Sequence, residues 1–318
     1  MSTGLFTHPD CLGHVTPPGH PERVERLTAV LAALEADEFR PLARREAPLA
    51  DRADLVRAHD DGLVDRLLAL EIGPGAFVQI DGDTVMSAGS VQAARRAAGA
   101  MTAAIDAVLS GPMGNAFCAV RPPGHHAERR AAMGFCLFNS VAIGALHARA
   151  HHGLTRIAVV DFDVHHGNGT QDIFFDDPDL FYASTHQSPL YPGTGYPEER
   201  GIAGNILNVP LRPGSGGIAF RAAFENAILP ALDQFSPQLL LVSAGFDAHR
   251  ADPLAQLELN ESDFAWATQR LCEGASQWCE GRVVSTLEGG YDLAALAAST
   301  AAHVRVLMQN SNCRLAQS

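Results

Sequence analysis

Residues 156–171 read RIAVVDFDVHHGNGTQ, and the way this stretch changes character halfway along decides the fold. It opens apolar at consecutive positions, the pattern of a strand covered by helices on both faces of a parallel sheet. It then turns abruptly polar. On a continuing strand, Asp161, Asp163 and His165 share one face while Phe162 and Val164 pack on the other. Two carboxylates buried together are costly without a positive partner, and the segment holds none beyond Arg156. A bound cation is the better explanation. Asp163 and His165 then offer oxygen and nitrogen to one metal, leaving Asp161 for a second role.

The same grammar recurs outward along the chain. AFCAV is followed by RPPGHHA (121–127), LFYA by STH (184–186), QLLLV by SAGFDAH (243–249) and RVVST by LEGGY (287–291). In open α/β sheets, ligands bind at the carboxyl ends of the strands. Five segments are thus expected to bring chemistry to one edge of one sheet. Strands are predicted at 116–120, 156–164, 180–185, 238–243 and 282–287. Helices are predicted at 21–35, 87–109, 140–151, 218–235, 261–279 and 292–308. Their alternation predicts an α/β fold with a mainly parallel central sheet flanked by helices on both faces, one domain over residues 1–318.

Composition narrows the function classes. With 47% hydrophobic and 19% charged residues the chain is globular rather than disordered. A formal net charge of −13 argues against partnership with nucleic acid or an anionic membrane, and mildly favours cationic ligands. The six cysteines form no C-x-x-C pair, so a reducing cytoplasm is the expected compartment and no cysteine metal site is indicated. The N-terminus lacks a signal-peptide pattern, and no apolar run reaches ~18 residues.

Asp247, in a context like that of Asp163, is the natural third ligand. Two carboxylates and one imidazole leave an open position, the catalytic arrangement for zinc. A divalent metal lowers the pKa of water to ~7 and polarises a carbonyl, both of which amide hydrolysis needs. No G-x-S-x-G elbow offers a rival route. His125 and His126 stand on a Pro-Pro-Gly turn, where an imidazole can take a proton from water and return it to a departing amine. Such a base needs an acceptor for its other nitrogen, and Asp161 and Asn168 are the candidates. The His151–His152 pair, followed by Gly153, reads instead as a cationic helix end. Tyr291, after two glycines, can donate a hydrogen bond to a developing oxyanion.

Together GHPERVERL, RPPGHHAE, MGFCLFNSVAI, VVDFDVHHGNGTQ, YPGTG, SAGFDAHRADPL and LEGGY resemble the zinc-dependent histone deacetylases, class II and bacterial type, of the arginase–deacetylase fold. The resemblance implies a single Zn²⁺ on Asp163, His165 and Asp247. It implies His126 as general base and acid oriented by Asn168, and His125 as its electrostatic partner oriented by Asp161. Tyr291 would polarise the acetyl carbonyl. Gly134, Phe135 and Tyr191 would line an acyl-lysine tunnel, with Asp83 at its mouth and Leu254 in place of an acidic gatekeeper. A structural K⁺ would use Asp161, main-chain oxygens of Asp163 and His165, and Ser184 with Thr185. Arg23 would line an acetate exit. The expected substrates are acetyl-lysine side chains or small acylated amines, with the oligomeric state open. An arginase-type two-manganese centre would need further acidic ligands, but His166-Gly167 follow His165.

Overall fold

The computed structural model describes residues 1–311, so Cys313 lies outside the described residues. The strands run β1 Ser2–Thr7, β2 Ala43–Glu46, β3 Val78–Gln79, β4 Val85–Met86, β5 Met113–Cys118, β6 Ile157–Asp161, β7 Leu180–Gln187, β8 Ile206–Leu211, β9 Leu239–Ala244 and β10 Val283–Leu287. The helices are α1 Val24–Ala33, α2 Arg52–Ala58, α3 Asp61–Leu68, α4 Ser90–Leu109, α5 Ser140–His152, α6 Asn168–Phe174, α7 Gly217–Ala223, α8 Leu229–Phe235, α9 Glu261–Trp278 and α10 Leu293–Gln309. Eight strands form one sheet in the order β2-β1-β5-β10-β9-β6-β7-β8. Every pairing in it is parallel, while β3 and β4 make a separate small hairpin.

The polar clusters follow β5, β10, β9, β6 and β7, which are consecutive neighbours at the middle of the sheet. Because those strands are parallel, their carboxyl ends open on one edge. Each is buried at every position, so helices cover both faces. Small side chains allow the close packing. α4 carries alanines along its buried stripe, and a Cβ placed on Gly144 of α5 would come within 2.8 Å of Ile105 on α4. On the other side α9 packs with α10, and α1 against α10.

Helix ends are fixed by side chains. Asn260 and Asp263 form a capping box that starts α9, and Asp292 caps α10. Asn139 caps α5 and also donates to Ala127 O and Thr170 Oγ1, which ties the 121–127 turn to α5 and α6. Among the described residues no helix is long and apolar enough to cross a membrane.

Three expectations need correction. The strand predicted at 156–164 ends at Asp161. Beyond it, Asp163 N–H bonds Asp161 Oδ1 and His165 N–H bonds Asp163 Oδ1, so side chains take the backbone off the sheet ladder. Asp163 and His165 therefore reach the site from a turn, not by strand alternation. The helix predicted at 218–235 is interrupted by a π turn at Phe224–Ile228. Finally, β1, β2 and β8, at the sheet flanks, were not predicted from the sequence at all.

Candidate active site

The turn after β6 meets the turn after the neighbouring strand β9, with the turn after β10 beside them. His165 Nδ1 lies 3.2 Å from Asp163 Oδ1 and 3.2 Å from Asp247 Oδ2. All three residues are buried, and one ligand atom from each falls within 4.8 Å of the others. The oxygens on the far side of the carboxylates are spoken for. Gly289 N–H donates to Asp163 Oδ2 at 2.7 Å, and Val164 N–H to Asp247 Oδ1 at 2.8 Å. Two glycines make room for this arrangement. A Cβ on Gly245 would stand 2.0 Å from Asp163 Oδ2, and one on Gly289 2.0 Å from Asp247 Oδ2.

The charges are out of balance as they stand. Burial, reinforced by Asp163, pushes the Asp247 carboxyl up to about 7. Burial alone would lower His165, but Asp163 and Asp247 push it up to about 10. Two carboxylates and an imidazole converging without a permanent cation between them is an oxygen–nitrogen donor set that fits a divalent metal.

The histidine turn sits beside this trio. His125 Nδ1 bonds Asp161 Oδ2 at 2.9 Å, and Tyr182 Oη donates to the same oxygen at 3.1 Å. His126 Nδ1 bonds Asn168 Oδ1 at 2.7 Å. The tautomer follows from the next link: Asn168 Nδ2 donates to Glu128 Oε1 at 2.7 Å, which turns the amide oxygen toward His126. His126 must then carry its proton on Nδ1, leaving Nε2 as a lone pair. The two rings also differ in charge. Burial would lower His125, but Asp163 and Asp161 hold it well above the usual histidine range. Burial lowers His126 well below that range, with His125 and His165 adding to the effect. The two imidazoles are thus pulled in opposite directions, His125 toward its charged form and His126 toward its neutral one.

Tyr291 is buried, with Arg26 packed 4.8 Å above its ring. Burial raises its hydroxyl well above the usual phenol range, against the opposing pull of Arg26, so it keeps the proton it would donate. Its backbone is held by Asp252, whose Oδ2 accepts from Tyr291 N–H and Oδ1 from Leu254 N–H.

A cavity of about 230 Å³ opens above these groups, lined by Asp83, His126, Gly134, Phe135, His165, Leu190, Tyr191, Leu254 and Tyr291. Phe135 and Gly134 are both left-handed, at φ 66° and 57°. For a phenylalanine that conformation costs on the order of 1–3 kcal/mol. Phe135 N–H donates to Thr84 Oγ1 at 2.9 Å, which holds the bend. A Cβ on Gly134 would stand 2.6 Å from the His126 ring, so the glycine also lets the wall approach that ring. The Tyr191 ring meets His126 edge-on at 5.1 Å and is 36% exposed, placing its hydroxyl-bearing side chain at the rim. Ser184 is in register with Asp161 on β7, and Thr185 follows it, both buried.

Several residues at the site were not singled out from the sequence. Glu288 Oε2 accepts from Gly124 N–H at 2.6 Å and His125 N–H at 3.2 Å, pinning the histidine turn. Arg121 grips Glu22 through two bonds of 2.6 Å, and Glu22 also accepts from Arg26. Arg26 reaches on to Gly290 O at 2.6 Å and Glu288 O at 2.5 Å. This buried network joins α1, the histidine turn and the tyrosine turn. Arg23, by contrast, is exposed at the start of α1, where it lines a surface pocket with Val15, His20 and Val24. With the helix beginning at Val24, it is Arg26 that faces inward.

Residues 20–307 match the histone deacetylase domain family. The chain is 41% identical to histone deacetylase 14, chloroplastic, of Arabidopsis thaliana, over 96% of this chain and 76% of that protein. It is 41% identical to the histone deacetylase-like amidohydrolase of Pseudomonas aeruginosa, over 88% of this chain and 75% of that protein. The crystal structure of the HDA15 HD domain superposes with a TM-score of 0.90 at 36% identity, covering 97% of this chain and 88% of that one.

Proposed function

The chain belongs to the histone deacetylase family, hydrolases of amide bonds, and from that premise we propose that it removes acetyl groups from acetyl-lysine side chains or related small acylated amines, releasing acetate and the free amine. The observation that carries this reading is the convergence of Asp163, His165 and Asp247 at the floor of a cavity that also presents His126 and Tyr291.

Asp163, His165 and Asp247 would hold one Zn²⁺, which when bound activates water and polarises the acyl carbonyl. The Nε2 lone pair of His126 accepts the proton of the attacking water and returns it to the amine nitrogen as the C–N bond breaks. Asn168, fixed by Glu128, keeps that lone pair aimed into the cavity. His125, held by Asp161, supplies positive charge beside the reacting centre. The Tyr291 hydroxyl donates to the oxyanion.

The walls fit a slim aliphatic chain. Phe135 and Tyr191 flank it, Gly134 leaves room for it, and Asp83 at the rim can accept an N–H from the substrate backbone. Leu254 offers no negative charge to a polyamine, which favours lysine-like substrates over strict polyamine specificity. The chain contains no lysine, so its own surface cannot compete as an acetyl-lysine substrate. Asp161, Ser184, Thr185 and the main-chain oxygens of Asp163 and His165 would hold a structural K⁺. The expected setting is a reducing cytoplasm, without nucleic-acid or membrane partners.

Zinc-replete protein should hydrolyse a fluorogenic acetyl-lysine peptide, lose turnover on exhaustive chelation, and regain it with added Zn²⁺. Acetylpolyamines should be turned over more slowly. Turnover that survives chelation, or inertness toward every acyl amine tried, would remove the reading.

A further inference from the structure

A second group of metal-ligating side chains lies away from the cavity, at the C-terminal end of α5. His147 Nε2 and His152 Nε2 both point at the same oxygen, Asp106 Oδ1, at 2.8 and 2.7 Å. Asp106 belongs to α4, so the cluster bridges the two helices. His147 is only 7% exposed, and its other nitrogen, Nδ1, is buried with no hydrogen-bond partner among the described residues. Asp54 Oδ1 stands 3.8 Å from that nitrogen, too far to accept a hydrogen bond.

Without a metal, two neutral rings must each place a proton on Nε2 to donate to Asp106. That tautomer strands the Nδ1 lone pair of His147 in a buried position facing a carboxylate. A cation between the two Nε2 atoms and Asp106 resolves the mismatch. Each Nε2 becomes a ligand lone pair, and the proton of His147 moves to Nδ1. There Asp54 Oδ1 becomes its acceptor after a small shift, giving the carboxylate–histidine–metal relay that orients ligand imidazoles. On His152 the proton likewise moves to Nδ1, 3.4 Å from Ser110 Oγ.

The dimensions suit the change. Metal bonds of about 2.0–2.1 Å in a tetrahedral site set ligand atoms about 3.3 Å apart, so the present spacings need to open by roughly half an ångström. Asp106 is half exposed, which leaves solvent to complete the coordination. His152 lies in the last turn of α5, where unpaired carbonyls favour positive charge.

We propose that Asp106, His147 and His152 form a second site for a divalent transition ion of the zinc class, stapling the end of α4 to the end of α5, with Asp54 as the positioning carboxylate of His147. The inference is independent of the metal proposed in the cavity.

The test is zinc counting after equilibrium dialysis of chelator-stripped full-length protein against buffered Zn²⁺, compared with Asp106→Asn and His152→Ala. Both changes fall at partly exposed positions. Each variant should bind one equivalent less than wild type while keeping acyl-amine turnover. Long-range ¹H–¹⁵N spectra of the wild type should show the His147 proton moving from Nε2 to Nδ1 on zinc addition. Equal zinc in all three proteins would overturn the proposal. So would a His147 ring that is doubly protonated at neutral pH and unmoved by zinc.

Discussion

Asp247→Ala is expected to lose one equivalent of tightly bound zinc, and turnover of an acetyl-lysine peptide should fall by well over about 100-fold. Loss of a residue that merely orients a metal ligand typically costs about 10- to 100-fold in affinity or activity. Asp247 would be a ligand itself, one of only three, so its removal must exceed that range. The alanine also strips the acceptor from Val164 N–H, a buried donor whose orphaning costs about 1–3 kcal/mol. Asp247→Asn separates the two effects. Its amide oxygen still accepts from Val164 while the ligand charge is gone, so it should unfold like wild type yet bind zinc poorly. Metal analysis beside thermal unfolding of both variants checks this. Full zinc occupancy in Asp247→Asn would show that the ligand is misassigned.

Tyr291→Phe should lose about 100- to 1000-fold in kcat, the usual result of deleting one oxyanion donor, with metal content and fold unchanged. The hydroxyl acts where charge develops during reaction, so kcat should fall far more than KM rises. The ring itself remains, keeping its contact with Arg26 and its edge-on approach to Phe135 at 6.0 Å. Steady-state kinetics on a peptide substrate decide the point, and wild-type kcat in the variant would remove the role.

Much of this site is legible in the sequence, because its signals are local. Each polar cluster interrupts an apolar run, and a parallel sheet brings the ends of such runs together whatever the detailed order of strands. The order β5-β10-β9-β6-β7 then sets the ends of those five runs side by side on one edge. The pairings of His125 with Asp161 and His126 with Asn168 were expected from family resemblance rather than spacing. Residues 36 and 42 positions apart give no local sign of contact.

What stayed hidden is non-local or depends on phase. Glu22, Arg26 and Arg121 look like surface charges in sequence, and only the packing of α1 over the Tyr291 turn buries them. Arg23 and Arg26, three residues apart, would share a face of a helix running from residue 21; because α1 begins at Val24, Arg23 is its extended N-cap residue and does not follow that face. The alternation read into residues 161–165 failed because aspartate side chains captured backbone N–H groups that a strand would have paired. Glu288 sits inside a recognised motif, yet its bonds go to a turn 164 residues earlier. The flanking strand β2 reads ARRE, polar at three of four positions, and carries no apolar signature.

Anomalous scattering at the zinc edge, from crystals of zinc-loaded protein proven active in solution, bears most directly on the cavity floor. A peak should appear there with one oxygen of Asp163, a ring nitrogen of His165 and one oxygen of Asp247 at about 2.0–2.2 Å. An active protein whose map is blank at that point, or whose ion is gripped by other side chains, would contradict the assignment.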